Sequence, residues 1–227
     1  MKNYIIADKY KELLDVVQDK IAYAAHDLDH VLRVFQLSMF LAEGEKDLDL
    51  DVLIPAVLLH DIARKLEDED PSGKTDHALV GAAMAGEILE DLGYDERLIA
   101  KVKNCIVTHR FRSGSPPSSR EAKILYDADK LDVIGAVGIA RSYMLAGRHG
   151  ERMYLDVPLA EYLAENVGEN GRIKDTSKHA ANLEFELKLK HIPDKLFTAK
   201  AKALAQQRVE FMQNFFAVLK QEIDGKR

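Results

Sequence analysis

Residues 56–65 read AVLLHDIARK: an aliphatic run passes directly into His60 and Asp61. His60 lies three residues after Val57 and seven after Leu53, so on a helix it projects from the face those residues bury. An ionised Asp61 beside it loses its hydration, at a cost of roughly several kcal/mol unless partners replace the lost water. A hydrogen-bonded network or a metal ion is therefore expected next to this pair.

Outward from that stretch the chain reads as helices. Apolar residues recur at three- and four-residue spacing over 5–20 and again over 27–43, as in Val31, Val34, Leu37 and Leu41, and Gly44 closes the second segment. A third helix is expected over 51–66, with Pro55 tolerated near its start. TDHALVGAAMAGEILEDLG, residues 75–93, reads as a fourth, with Asp76 as N-cap and Gly93 as the stop. DERLIAKVKNCIVTHR, residues 95–110, reads as a fifth. FRSGSPPSSR has the composition of a loop, after which Ser118 and Glu121 have capping-box spacing at the head of a long helix reaching about Leu145. Further helices are expected near 158–167, 176–190 and 194–223. Alternating strand patterns and internal repeats are absent, so the fold class is all-α.

Composition narrows the function. The chain of 227 residues is 47% hydrophobic, enough for a substantial core, and carries a net charge of −6. That balance argues against long nucleic acid as a partner, so any phosphate binding must be local. The single cysteine, Cys105, excludes an internal disulfide and reads as a small buried thiol. Charges interrupt the first residues every few positions and no later apolar run has the length of a bilayer span, so a soluble, cytoplasmic protein without a membrane partner is the expectation.

Two other segments carry donors of the same chemistry as His60 and Asp61. HDLDHVLRV places His26 and His30 at i and i+4 on one helical face, and YDADKLD supplies Asp127, Asp129 and Asp132. Imidazole and carboxylate together suit a divalent ion such as Mn²⁺, Fe²⁺, Co²⁺, Ni²⁺ or Zn²⁺. Taken singly, each of these residues reads as an ordinary satisfied structural group.

In their order along the chain, these motifs resemble the HD-domain metal-dependent phosphohydrolase superfamily, and most closely its small stand-alone bacterial and archaeal hydrolases. The resemblance covers about residues 20–145 of what is taken as a single domain over 1–227, with C-terminal helices over about 150–225 added to an HD-type helical bundle. It implies His30, His60, Asp61 and Asp129 as ligands of one divalent metal. It does not select the substrate, because the superfamily includes phosphomonoesterases, phosphodiesterases, nucleotide pyrophosphohydrolases and regulatory members.

The chemistry assigns the remaining roles. A divalent ion on that set can polarise phosphorus and activate water, with Asp61 also orienting the water and Lys65, one turn later, contacting a phosphate or leaving oxygen. Arg33 and Arg64 are placed as further phosphate contacts. Asp132 is expected to orient a ligand histidine or pair with a cation, and His26 and Asp27 to lie at the pocket rim or cap their helix. His77 and His109 fall between the His-Asp pair and the last aspartate, where they either line a phosphate pocket, the favoured reading, or complete a second metal site. The loop THRFRSGSPPSSR adds Arg110, Arg112 and Arg120 as candidates for a polyphosphate, and Phe111 and Tyr126 as candidates for stacking on a base. His149, His179 and His191 read as surface residues. The expected activity is metal-dependent hydrolysis of a small phosphorylated metabolite, a nucleotide in the first instance. A phosphodiesterase acting on cyclic or short oligonucleotides and a non-enzymatic regulatory module are the alternatives, and a homodimer is left open.

Overall fold

The computed structural model describes residues 4–21, 28–110, 116–168, 171 and 173–226, with the Ile21 side chain left out. Among these residues the regular structure is helical, and the only pairings of strand type are isolated bridges of Arg152 with Ala180 and Val167 with Ile173. The chain divides into two compact units, 1–132 and 133–227.

The first unit contains α1 (Lys11–Ile21), α2 (Leu28–Ala42), α3 (Leu50–Leu59), α4 (Arg64–Asp68), α5 (His77–Asp91), α6 (Glu96–Thr108) and α7 (Arg120–Asp132). Every residue of α3 from Val52 to Leu59 is buried, so this helix is apolar around its whole circumference. Such a helix belongs at the centre of a bundle. α1, α2, α5, α6 and α7 all pack against it, and the aliphatic run of 56–59 thereby delivers His60 to the middle of the unit. Side chains that close the core include Val34 and Phe35 from α2, Ile106 from α6, and Leu125 and Leu131 from α7.

The expected 51–66 helix is interrupted. α3 ends at Leu59, residues 60–63 form turns, and α4 resumes at Arg64. Pro55 also lies deeper in α3 than the first turn, where it cannot donate the usual helical hydrogen bond. Asp76 caps α5 by accepting from Ala78 N–H, and Gly93 beyond it adopts φ +77°, both as expected. At the head of α7 the cap is Ser119, whose Oγ accepts from Ala122 N–H, and not Ser118. Glu121 does not close a capping box, because its carboxylate accepts from Asp49 N–H seventy-two residues away.

The second unit contains α8 (Gly135–His149), α9 (Leu159–Asn166), α10 (Ala181–Leu187) and α11 (Ala199–Ile223). The long helix expected to reach Leu145 breaks at Val133 and Ile134, and α8 restarts at Gly135 with φ +81°. The segment expected as one helix over 176–190 is a short 3-10 turn, α10 and another 3-10 turn, and α11 starts at Ala199 instead of 194. Ala201, Ala205, Val209, Met212 and Phe216 form the buried stripe of α11 that faces this unit's core. His179 corrects its surface assignment: it is buried, with Nδ1 2.6 Å from the Tyr162 hydroxyl.

Candidate metal centre

The turn after α3 places His60 and Asp61 among residues of four other elements. His30 comes from the first turn of α2, His77 from the first residue of α5, His109 from the C-cap of α6, and Asp129 from the last turn of α7. His30, His60, Asp61, His77 and His109 are all buried.

The imidazoles share one orientation. His60 Nδ1 lies 2.8 Å from the Val57 carbonyl and His109 Nδ1 2.5 Å from the Ile106 carbonyl. A carbonyl can only accept, so both Nδ1 atoms are donors. His30 Nδ1 donates to Asp132 at 2.8 Å, and His77 Nδ1 meets the Glu67 carboxylate. Each Nε2 is thereby turned inward as a potential ligand.

Those inward atoms divide around the two oxygens of Asp61. Oδ2 lies 3.6 Å from His30 Nε2 and 3.8 Å from His60 Nε2, while Asp129 Oδ1 approaches His30 Nε2 at 3.4 Å. Oδ1 lies 3.4 Å from His77 Nε2 and 3.6 Å from His109 Nε2. The His30–His60 and His77–His109 Nε2 pairs are separated by 3.3 and 3.2 Å. Facing lone pairs at that separation repel unless a proton or a metal cation lies between them, and two imidazoles with a carboxylate are a suitable donor set for a divalent ion. His30, His60 and Asp61 form one cluster able to hold a metal; Asp61, His77 and His109 form another.

Electrostatics agree with a cluster that attracts positive charge. Burial lowers the His30 pKa, but hydrogen bonds with Asp129 and Asp132 outweigh it and bring the value up to about 9. His60, fully desolvated, is pulled down to about 4. Burial opposes ionisation of Asp61 and Asp129, yet the surrounding imidazoles, and Lys130 for Asp129, hold both carboxyls well below the usual range. Burial also pushes the Cys105 thiol up to about 12, as expected of an inert buried cysteine.

The other anticipated residues fall into distinct places. Asp132 receives His30 Nδ1 and is gripped by Arg33 through Nε at 2.8 Å and Nη2 at 3.0 Å, so Arg33 meets the cluster through Asp132. Arg64 lies 3.3 Å from both Asp68 and His77 Nδ1. Arg110 reaches Glu67 at 2.7 Å and Asp76 at 3.0 Å. Lys65 is 42% exposed at 3.7 Å from Glu69, and Arg120 is directed to the Lys46 carbonyl. His26, Asp27, Phe111 and Arg112 lie outside the described residues.

Two side chains at the cluster escaped the sequence reading. Lys130 is 15% exposed, 2.6 Å from Asp129 and over the Tyr126 ring, inside the DADKLD motif itself. Glu67 is 15% exposed and joins His77 to Arg110. Its signal was hidden in the charge run of RKLEDED, which has the appearance of a solvated helix face.

A helical bundle that turns buried imidazoles and carboxylates toward common centres defines a metal-binding protein of the histidine–aspartate type. The HD domain family matches residues 27–134. YpgQ of Bacillus subtilis, an uncharacterized protein, is 31% identical over 205 residues, covering 89% of this chain and 86% of YpgQ. The chain belongs to the HD-domain superfamily. The crystal structure of YpgQ in complex with ADP superposes with a TM-score of 0.69 at 26% identity, covering 94% of each chain. That of an HD superfamily hydrolase from an uncultured Thermotogales bacterium gives 0.61 at 29% identity, covering 93% of this chain and 91% of the other. The 3'-5' exoribonuclease YhaM of a Geobacillus species is 29% identical over 138 residues, which is 55% of this chain and 43% of YhaM. No helix among the described residues is long and apolar enough to cross a membrane.

Proposed function

We propose that this chain is a divalent-metal-dependent phosphohydrolase acting on a small phosphorylated metabolite, with a nucleotide as the favoured substrate. The observation that carries the proposal is the common orientation of four imidazoles, each Nδ1 engaged outward and each Nε2 facing Asp61. In this reading His30, His60, Asp61 and Asp129 would hold one ion, and Asp61, His77 and His109 would hold a second. A bound divalent ion supplies Lewis acidity toward a phosphoryl oxygen and lowers the pKa of water.

The chain's own residues supply the rest. Asp132 and Arg33 fix the His30 ring through Nδ1. The Asp61 and Asp129 carboxylates, held ionised at neutral pH, would serve as ligands and as acceptors that orient an attacking water. Lys130, 2.6 Å from Asp129 and less exposed than Lys65, takes the phosphate-contacting role in preference to it. The complex of YpgQ with ADP supports a nucleotide substrate. Similarity to YhaM supports a second reading, a phosphodiesterase acting on short oligonucleotides, and the net charge of −6 favours the small substrate over it.

A screen of the purified chain, supplemented in turn with Mn²⁺, Co²⁺ and Ni²⁺, against nucleoside mono-, di- and triphosphates, cyclic nucleotides, sugar phosphates and short oligoribonucleotides tests the proposal. Release of phosphate or pyrophosphate from a nucleotide, abolished by chelation, is expected. Turnover confined to oligonucleotides establishes the second reading. No turnover on any substrate with metal bound points to a regulatory module.

A further inference from the structure

The Glu67 carboxylate contacts the His77 ring at Nδ1 and also accepts from the His77 backbone N–H at 3.2 Å. Its other oxygen accepts from Arg110 Nη2 at 2.7 Å, and Arg110 Nη1 lies 3.0 Å from Asp76, the residue that caps α5. The four side chains form a continuous chain, His77–Glu67–Arg110–Asp76, linking α4, the start of α5 and the residue following His109. A competing donor is also present, because Arg64 Nη1 stands 3.3 Å from the same Nδ1.

That competition gives His77 two alternative tautomers. A carboxylate only accepts, so Glu67 requires Nδ1–H and leaves Nε2 with its lone pair toward Asp61 and His109. A guanidinium only donates, so Arg64 favours a bare Nδ1 and places the proton on Nε2, where it blocks ligation. We propose that Glu67, braced by Arg110, is a positioning residue that sets the His77 tautomer against Arg64, and that Arg110 serves this brace instead of binding substrate phosphate. The consequence for metal at the Asp61–His77–His109 set rests on the metal-binding reading above; the tautomer itself does not.

Histidine ¹⁵N NMR on the full-length, metal-free chain at neutral pH reads the proton position directly. Wild type is expected to show His77 protonated at Nδ1. Glu67→Ala is expected to move the proton to Nε2, and Glu67→Gln, whose amide oxygen still accepts, to keep it at Nδ1. Arg110→Ala is expected to shift the population in the same direction as Glu67→Ala. An Nε2–H tautomer in wild type, or an unchanged Nδ1–H in a folded Glu67→Ala, overturns the proposal. Titration with Co²⁺ gives the second reading: the Asp61–His77–His109 site is expected to weaken about 10- to 100-fold in Glu67→Ala and to recover in Glu67→Gln. Equal Co²⁺ affinity in Glu67→Ala overturns the positioning role, whereas a wild type that takes up no second Co²⁺ sinks the two-ion reading and leaves the NMR result to decide the tautomer.

Discussion

A carboxylate shared by two sets of imidazoles differs on truncation from a histidine that serves only one. Asp61 presents one oxygen to His30 and His60 and the other to His77 and His109. Asp61→Ala is therefore expected to leave almost no tightly held Mn²⁺ after dialysis, while His109→Ala loses one of two ions, measured as metal per chain. Retention of both ions by Asp61→Ala removes the shared role. The two lysines separate similarly. Lys130 lies nearly buried beside Asp129; a charge-assisted contact from it to substrate phosphate would be worth about 1.5 to 3 kcal/mol, so Lys130→Ala should lower kcat/KM by about 10- to 150-fold. Lys65, more exposed and beside Glu69, is expected to contact the phosphate less, so Lys65→Ala should lower kcat/KM by a smaller factor. A larger effect at Lys65 restores it as the substrate-side cation. His60 and Asp61 could be read from sequence because an imidazole and a carboxylate at the end of an apolar run are chemically out of place, whereas His30 and Asp129 could be read only through the family resemblance of the motifs in order. Glu67 could not, because a glutamate in a run of charges is chemically in place, and only the turn at 60–63 and the loop before α5 bring it to His77.

At the scale of elements, periodicity located the helices and missed their interruptions. The apolar spacing that buries Val57 continues through Ile62 without glycine or proline to mark the turn at 60–63, so one helix was expected where there are two. Its interruption has a use: it frees His60 and Asp61 from strict helical register, so both reach the cluster although adjacent residues on a helix diverge. The break before α8 did carry a signal in the glycines of DVIGAVG. Gly135 sits at φ +81°, and a Cβ on Gly138 would penetrate the Val133 carbonyl. Gly138→Ala is accordingly expected to destabilise by about 1 to 3 kcal/mol, lowering Tm by about 2 to 4 °C per kcal/mol. Gly147, on the same helix with open space around it, is the comparison, and Gly147→Ala should leave Tm unchanged or raise it. Equal effects at the two positions refute the packing explanation. In the second unit Glu184 reports on acid stability. Burial raises its pKa, but His179 and Lys188 outweigh this and hold it at about 2 against an ordinary 4.5. A depressed carboxyl stabilises the fold above pH 4.5 and loses that contribution as pH falls toward 2. The stability difference between wild type and Glu184→Gln should therefore shrink across that interval in denaturant titrations, and a difference constant with pH contradicts it.

At the scale of the whole molecule, all the candidate metal donors among the described residues lie within residues 1–132, and the HD domain match ends at 134. Residues 133–227 have an apolar core of their own, including Ile139, Tyr162, Leu183, Phe185, Met212 and Phe216. The proposal of a single domain over 1–227 consequently makes a thermodynamic demand: an ion held only by the first unit must raise the stability of the second as well. A ligand at a hundred times its Kd stabilises the folded state by about 2.7 kcal/mol, which for a chain of this size is a rise of about 5 to 11 °C. Calorimetry with and without Mn²⁺ is expected to show one transition that moves as a whole, and Gly138→Ala in the second unit should lower the same transition. Two transitions, of which Mn²⁺ raises one and Gly138→Ala lowers the other, would instead make residues 1–132 a metal-binding domain that folds separately from residues 133–227.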